Sequence, residues 1–185
     1  MRRFVLDGLI RKPLTEDAPT PDAAGLEELA AAFRRAQRET LGQSLAIRMV
    51  DAGSCNGCEM ELNALSNPYY DMERFGLHFV ASPRHADVLM VTGPVTRNMA
   101  EAVRRTYDAM PAPKWVVAVG DCAKYGGCFA GSYAIVGGAE AVVPVDLHIP
   151  GCPPDPTALL KGLLALLRQM DNGARPGRTP DHVPL

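Results

Sequence analysis

Five runs along the chain are apolar almost without interruption: "SLAIRMV" from Ser44, "GLHFVA" from Gly76, "DVLMVTG" from Asp87, "KWVVAVG" from Lys114 and "AVVPVDLHI" from Ala141. Continuous apolar character over so short a run is what a strand shows when both faces of a parallel sheet are covered. Between these runs, Glu59 to Ser66, Asn98 to Met110 and Thr157 to Met170 carry helical spacing, while 123–141 is Gly-rich and fits neither period. The alternation predicts βαβ units, hence an α/β fold with a doubly wound, mainly parallel sheet. Residues 1–44 read as an N-terminal extension, 45–170 as the core domain and 171–185 as a tail of Gly, Pro and charge without periodicity. Within the extension, "KPLTEDAPTPDAAG" reads as an extended connector. After it, Leu26, Leu29, Ala30, Phe33 and Gln37 recur at helical spacing with Arg34, Arg35 and Arg38 opposite. That amphipathic helix has two readings, packing against its own domain or lying on a partner or a membrane surface.

Charge changes the picture by exclusion. With Lys+Arg 19 against Asp+Glu 21 the net charge is -2, so no basic footprint for nucleic acid exists. Met1-Arg2-Arg3 resembles the start of a twin-arginine export signal, but Asp7 and Arg11-Lys12-Pro13 interrupt the apolar region such a signal needs, and "ALLKGLLALLRQM" is cut by Lys161 and Arg168 before it reaches membrane length. The expected compartment is the cytoplasm, where five cysteines point to metal binding or catalysis rather than disulfides.

Four of the cysteines have a shared address. Cys55 and Cys58 follow the first predicted strand, Cys122 follows "WVVAV" and Cys152 follows "VDLHI". Open parallel sheets place their binding crevice at the carboxyl ends of the strands, so three distant segments deliver four thiols to one edge. Glycines flank the ligands: Gly53, Gly57, Gly120, Gly126, Gly127 and Gly151 allow close backbone approach. Spacing alone leaves two metals open. Zinc uses Cys₄ sets, usually as two CxxC knuckles near in sequence, whereas here the second pair is split between loops. A Cys followed by Pro, as Cys152-Pro153 is, also occurs in ferredoxin-type runs, and the balance favours a 4Fe-4S cluster. Cys122 and Cys128 share one Gly-rich loop. Strand geometry favours Cys122 as the ligand and leaves Cys128 as a small buried apolar side chain.

"SCNGCEMELN", "SPRHADVLMVTGPVT", "GDCAKYGGCF" and "VPVDLHIPGCPPDP", in that order, closely resemble the small subunit of membrane-bound, energy-converting (group 4) nickel-iron hydrogenases of the formate hydrogenlyase type. That family is homologous to the corresponding iron-sulfur subunit of respiratory complex I. The resemblance covers residues 45 to about 168 and implies a flavodoxin-like fold with one 4Fe-4S cluster on Cys55, Cys58, Cys122 and Cys152. Complex I subunits have adjacent cysteines where this chain keeps CxxC, which favours the hydrogenase branch; the cysteines are too few for the two further clusters of uptake hydrogenases. The resemblance also implies partners: a nickel-iron large subunit, a ferredoxin-like iron-sulfur subunit and integral membrane subunits. The chain would then be a non-autonomous electron-transfer subunit of an oxidoreductase, peripheral to the cytoplasmic membrane. A quinone-reducing complex of complex I type is the nearest alternative, and a zinc-stabilised interaction module is the alternative from another class.

Neighbouring residues divide between roles. Glu59 and Glu61 stand in the first turn of a helix, where carboxylates favour the dipole, and Glu59 is also a candidate proton relay. Gly57, Asp121, Gly151, Pro153 and Arg84 are expected around the cluster, Arg84 offsetting its charge and His85 coupling reduction to protonation; a solvated loop is the plainer reading of both. Asp121 is read as capping a turn, and His148 as a structural histidine.

Overall fold

The computed structural model describes residues 23–40 and 44–171. The Pro-rich and acidic connector and the tail beyond residue 171 lie outside the described residues, as do the side chains of Leu26, Gln37 and Arg38. Among the described residues, helices α1 (Ala23–Thr40), α2 (Gly57–Ala64), α3 (Arg97–Ala109), α4 (Gly120–Tyr125) and α5 (Pro156–Asp171) alternate with β1 (Leu45–Asp51), β2 (Leu77–Phe79), β3 (Val88–Thr92), β4 (Val95–Thr96), β5 (Trp115–Val119), β6 (Ile135–Gly137) and β7 (Leu147–Ile149). The main sheet has the order β2-β1-β3-β5-β7 and all its pairings are parallel. Setting aside β4 and β6, which form a separate two-stranded antiparallel pair, this is the 2-1-3-4-5 order of flavodoxin-like folds. The architecture agrees with the doubly wound expectation.

Why these segments are strands is visible in their burial. All five residues of β3 and of β5 are buried, because helices cover both faces. One face carries Leu45, Ile47, Val88, Met90, Trp115, Val117 and Ile149 against α1, α2 and α5. The other carries Leu89, Val91, Val116 and Ala118 against α3 and α4. Two aspartates fasten strand entrances from the side: Asp87 Oδ2 accepts from the Ala46 N–H at 2.9 Å and Asp146 Oδ2 from the Val116 N–H at 2.7 Å.

Register then sets the working edge. Asp51 pairs with Thr92, Thr92 with Val119, and Val119 with Ile149, so four strands end in one transverse row. The chain beyond that row holds Cys55, Cys58, Gly93, Cys122 and Cys152.

Of the two readings of α1, the structure takes the first. Ala30 and Phe33 are fully buried, and the Phe33 ring meets Phe75 with centroids 5.5 Å apart. Arg34 is exposed and pairs with Glu27 at 3.4 Å on the outer side. The apolar stripe is therefore committed to the domain's own core. Phe33→Ala is expected to lower unfolding stability by about 3–5 kcal/mol, the range for a buried aromatic truncated to alanine, read as a lower urea midpoint at unchanged slope. An unmoved midpoint would mean that α1 contributes nothing to the core.

Candidate metal centre

Each thiol reaches the edge by its own local device. After β1, Asp51 Oδ1 accepts from the N–H groups of Gly53 and Ser54, both at 2.7 Å, folding the chain into an Asx turn. Ser54 Oγ accepts from the Asn56 N–H at 3.0 Å, and Asn56 adopts a left-handed φ of 70°, which asparagine tolerates better than most residues. Helix α2 starts there, placing Cys55 before its first turn and Cys58 within it. After β5 the break is sharper. Gly120, at φ +83°, turns strand directly into α4, so Cys122 lies in a short helix rather than in the open loop expected from the sequence. Gly126, at φ +95°, ends that helix with its N–H on the Cys122 carbonyl at 2.8 Å. Beyond β7, Gly151 delivers Cys152 and Pro153.

Ser54, Cys55, Gly57, Cys58, Gly93, Asp121, Cys122, Gly151, Cys152 and Pro153 line one cleft of about 60 Å³. The four thiols that the sequence groups together thus share a single pocket. A larger groove of about 390 Å³ between α1 and α5 contains none of the candidate residues. The cleft is tight against its sulfurs: a Cβ added at Gly120 would stand 2.8 Å from Cys58 Sγ. Among the described residues, no three His, Cys, Asp or Glu side chains converge closely enough to hold one metal ion. The sulfurs surround a space rather than a point.

Electrostatics in that space oppose bare thiolates. Burial first, then the neighbouring charges of Glu59, Cys122, Cys55 and Cys152, push the Cys58 thiol up to about 12. Cys122 is raised as well, by burial and then by Cys152 and Cys128, with partial relief from the backbone N–H of Cys128. Four thiolates can coexist here only with positive charge between them.

Two loops are clasped together. The Asp121 N–H donates to the Gly151 carbonyl at 2.9 Å while Asp121 Oδ1 accepts from the Gly151 N–H at 3.2 Å. Asp121 therefore joins the Cys122 and Cys152 segments instead of capping a turn of its own. His148 fits its structural reading: Nε2 donates to the Gly120 carbonyl at 3.1 Å. Glu59 is 5% exposed, and neither carboxylate oxygen has a hydrogen-bond partner.

Other expected residues are elsewhere. Arg84 and His85 are exposed on a 3-10 turn, Pro83–His85, just before β3 begins. Asp87 and Ala46 meet at that same amino-terminal end. The structure brings neither side chain to the cysteines, because the connection from β2 to β3 runs under the sheet's opposite edge. Cys128 is exposed, not buried as its reading as a small apolar side chain requires. Gly93, conversely, joins the cleft with no cysteine motif to mark it. A Cβ on Gly93 would come 2.6 Å from the Ser54 backbone, and the signal available for that contact is Gly93 standing directly after a strand.

Residues 55–166 match the family model described as NADH ubiquinone oxidoreductase, 20 Kd subunit. Among solved structures, a chain of the membrane-bound sulfane sulfur reductase (MBS), an archaeal respiratory membrane complex, is 33% identical. That match covers 81% of this chain and 80% of that one, with a TM-score of 0.65. A chain of the H2-activated NiFeSe-hydrogenase of Dm. baculatum is 18% identical, covering 75% of this chain and 68% of that one at a TM-score of 0.52. At that identity the likeness is one of fold.

Exposure orders the thiols. Cys55, Cys128 and Cys152 are exposed, Cys122 is half-buried and Cys58 is buried. Timed alkylation of metal-stripped protein followed by peptide mass spectrometry should label Cys55, Cys128 and Cys152 first and Cys58 last. Equal rates at Cys55 and Cys58 would show that the cleft does not close over the latter.

Proposed function

The chain belongs to the NADH ubiquinone oxidoreductase, 20 Kd subunit family, and on that premise we propose that it is the electron-transfer small subunit of a membrane-associated, energy-converting nickel-iron hydrogenase of group 4. It holds one 4Fe-4S cluster on Cys55, Cys58, Cys122 and Cys152. The observation that carries this reading is the single cleft in which thiols from three separate strand ends meet, with glycines wherever a side chain would strike a sulfur. Zinc would need four sulfurs at about 2.3 Å from one point; sulfurs spread around a cleft suit a ligand with several metal atoms. When bound, such a cluster supplies one-electron transfer.

The chain's own residues shape that role. A backbone amide that faces a ligand sulfur stabilises negative charge on it, and the N–H of Cys128 plays that part for Cys122. The Asp121–Gly151 clasp holds two ligand segments at fixed separation. Glu59, buried without a partner beside Cys58, is the candidate to hold a proton near the neighbouring catalytic subunit. With its four thiols held by the cluster, the chain serves as a relay, and turnover of 2H⁺ + 2e⁻ ⇌ H₂ belongs to the assembled complex. Residues 45–170 form the iron-sulfur domain, with 1–44 as an extension and 171–185 as a tail.

Partners follow from the surface. Met60 on α2 is 64% exposed, Tyr125 on α4 58%, and Phe129 and Tyr133 beyond it 42% and 90%. These side chains sit on or follow the elements that carry the ligands, and they suit a large nickel-iron subunit docked over the cluster edge. Among the described residues no helix is long and apolar enough to cross a membrane. In this reading, attachment to the cytoplasmic membrane runs through integral membrane subunits, and electrons are exchanged with a ferredoxin-like subunit.

A second reading has specific support. The chain is 33% identical to a subunit of a sulfane sulfur reductase, so the same one-cluster relay would serve a large partner that reduces sulfur, or quinone in a complex I-type assembly. The large partner's sequence separates these: two CxxC motifs that bind nickel and iron favour the hydrogenase.

Visible absorption bleached by dithionite, with about four irons per chain as the cluster formula demands, is the expected state of the purified protein. Colourless protein containing zinc would overturn the redox reading. Cys122→Ser is expected to lose the cluster or convert it to a three-iron form, whereas Cys128→Ser keeps the full low-temperature EPR signal; the reverse pattern would overturn the ligand assignment. Replacing Met60 and Phe129 together by Asp should abolish copurification with the large subunit while the cluster spectrum stays unchanged. Intact copurification would place the interface elsewhere.

A further inference from the structure

We propose that the groove between α1 and α5 is the docking site of the chain's own proline-rich, acidic connector, residues 16–22, which leads directly into α1. This goes beyond the cluster reading and does not depend on it.

The chemistry of the groove comes first. Its space of about 390 Å³ has apolar walls in Leu29 and Ala32 of α1 and Leu164 of α5, and Tyr69 and Tyr70 line it as well. The two rings meet edge to face with centroids 4.9 Å apart, and Tyr69 is exposed. Lys161 and Arg168, two turns apart on α5, are exposed along the same groove. Among the described residues neither has an ion pair, and Glu28 is the only carboxylate that lines the space. Two cations and two phenol rings above apolar walls suit a ligand that brings carboxylates together with rigid apolar groups.

The connector supplies both. Pro19 and Pro21 flank Thr20, and proline-rich segments dock on aromatic-lined grooves at low entropic cost because their backbone is already restricted. Glu16, Asp17 and Asp22 carry negative charge, and no cation stands between Pro13 and Asp22. Position favours the same occupant: α1 begins at Ala23 and Gly25 already lines the groove, so the connector starts at the groove's own wall. From Ala23 back to Asp17 an extended chain reaches about 20 Å, whereas Lys161 and Arg168 are only about 10 Å apart along α5. So short a tether holds the segment at millimolar effective concentration, which lets individually weak contacts suffice. The tail that leaves α5 is the poorer fit, because it brings Arg175 and Arg178 against Asp181 and would set like charges beside Lys161 and Arg168.

Two measurements on the full-length purified protein test this. Treatment with a zero-length carbodiimide at low salt, followed by digestion and mass spectrometry, should find an amide joining Lys161 to Glu16 or Asp17. In a mixture of isotopically light and heavy chains, both halves of that linked peptide should carry the same label. Nitration of Tyr69 by tetranitromethane should run at least about threefold faster in the double variant Glu16→Gln with Asp17→Asn than in the unaltered chain, and likewise in Lys161→Glu with Arg168→Glu, each checked for an unchanged far-ultraviolet spectrum. The absence of any link from Lys161 to residues 16–22, or a Tyr69 nitration rate that stays the same in both variants, overturns the proposal. Links of mixed label would place a second copy in the groove, and a link from Lys161 to Asp181 would place the tail there; either result overturns it too.

Discussion

The transverse row Asp51–Thr92–Val119–Ile149 is the constraint on which everything else depends. In a parallel sheet, pairing one strand out of step by a single residue turns its side chains to the opposite face. With β3 and β5 buried on both faces, and two distinct helical layers to satisfy, such a slip is costly everywhere at once. Holding register for the sake of the core therefore also holds the heights at which the strands end. The cysteines inherit their meeting place from the packing of Val, Leu and Met side chains on both faces of the sheet.

Much of this is legible in the sequence because the central strands are simple. "DVLMVTG" and "KWVVAVG" contain little besides apolar residues, and the structure uses them as β3 and β5 with no surprise. "AVVPVDLHI" yields less strand than its apolar run implies: only Leu147–Ile149 is strand. Pro144 cannot donate to a ladder, and Val142 and Val143 are buried after a 3-10 turn rather than along a strand. The pairing of Val95–Thr96 with Ile135–Gly137 leaves no periodic trace because two or three residues are too few to show a period.

The candidate site divides in the same way. The four thiols can be grouped by the rule that crevices form at strand carboxyl ends, and the structure seats them in one cleft. Arg84 and His85 belong to a sequence motif that suggests the cleft, yet they precede a strand, and what precedes a parallel strand faces the other edge. The burial of Glu59 and the reciprocal bonds of Asp121 with Gly151 depend on where chain segments remote in sequence come to rest, and no local pattern encodes that.

Strand β3 contributes no cysteine, only Gly93, yet it stands between β1 and β5. Neighbouring strands lie about 4.8 Å apart, so the roots of the first and second ligand segments are separated by about 10 Å, and β7 adds one strand more. β3 thus acts as a gauge block: its width, a property of backbone hydrogen bonding and not of any side chain, sets the bore of the cleft. Evolution can exchange what docks above such an opening far more readily than it can alter the opening's calibre, since changing the calibre means inserting or deleting a whole strand.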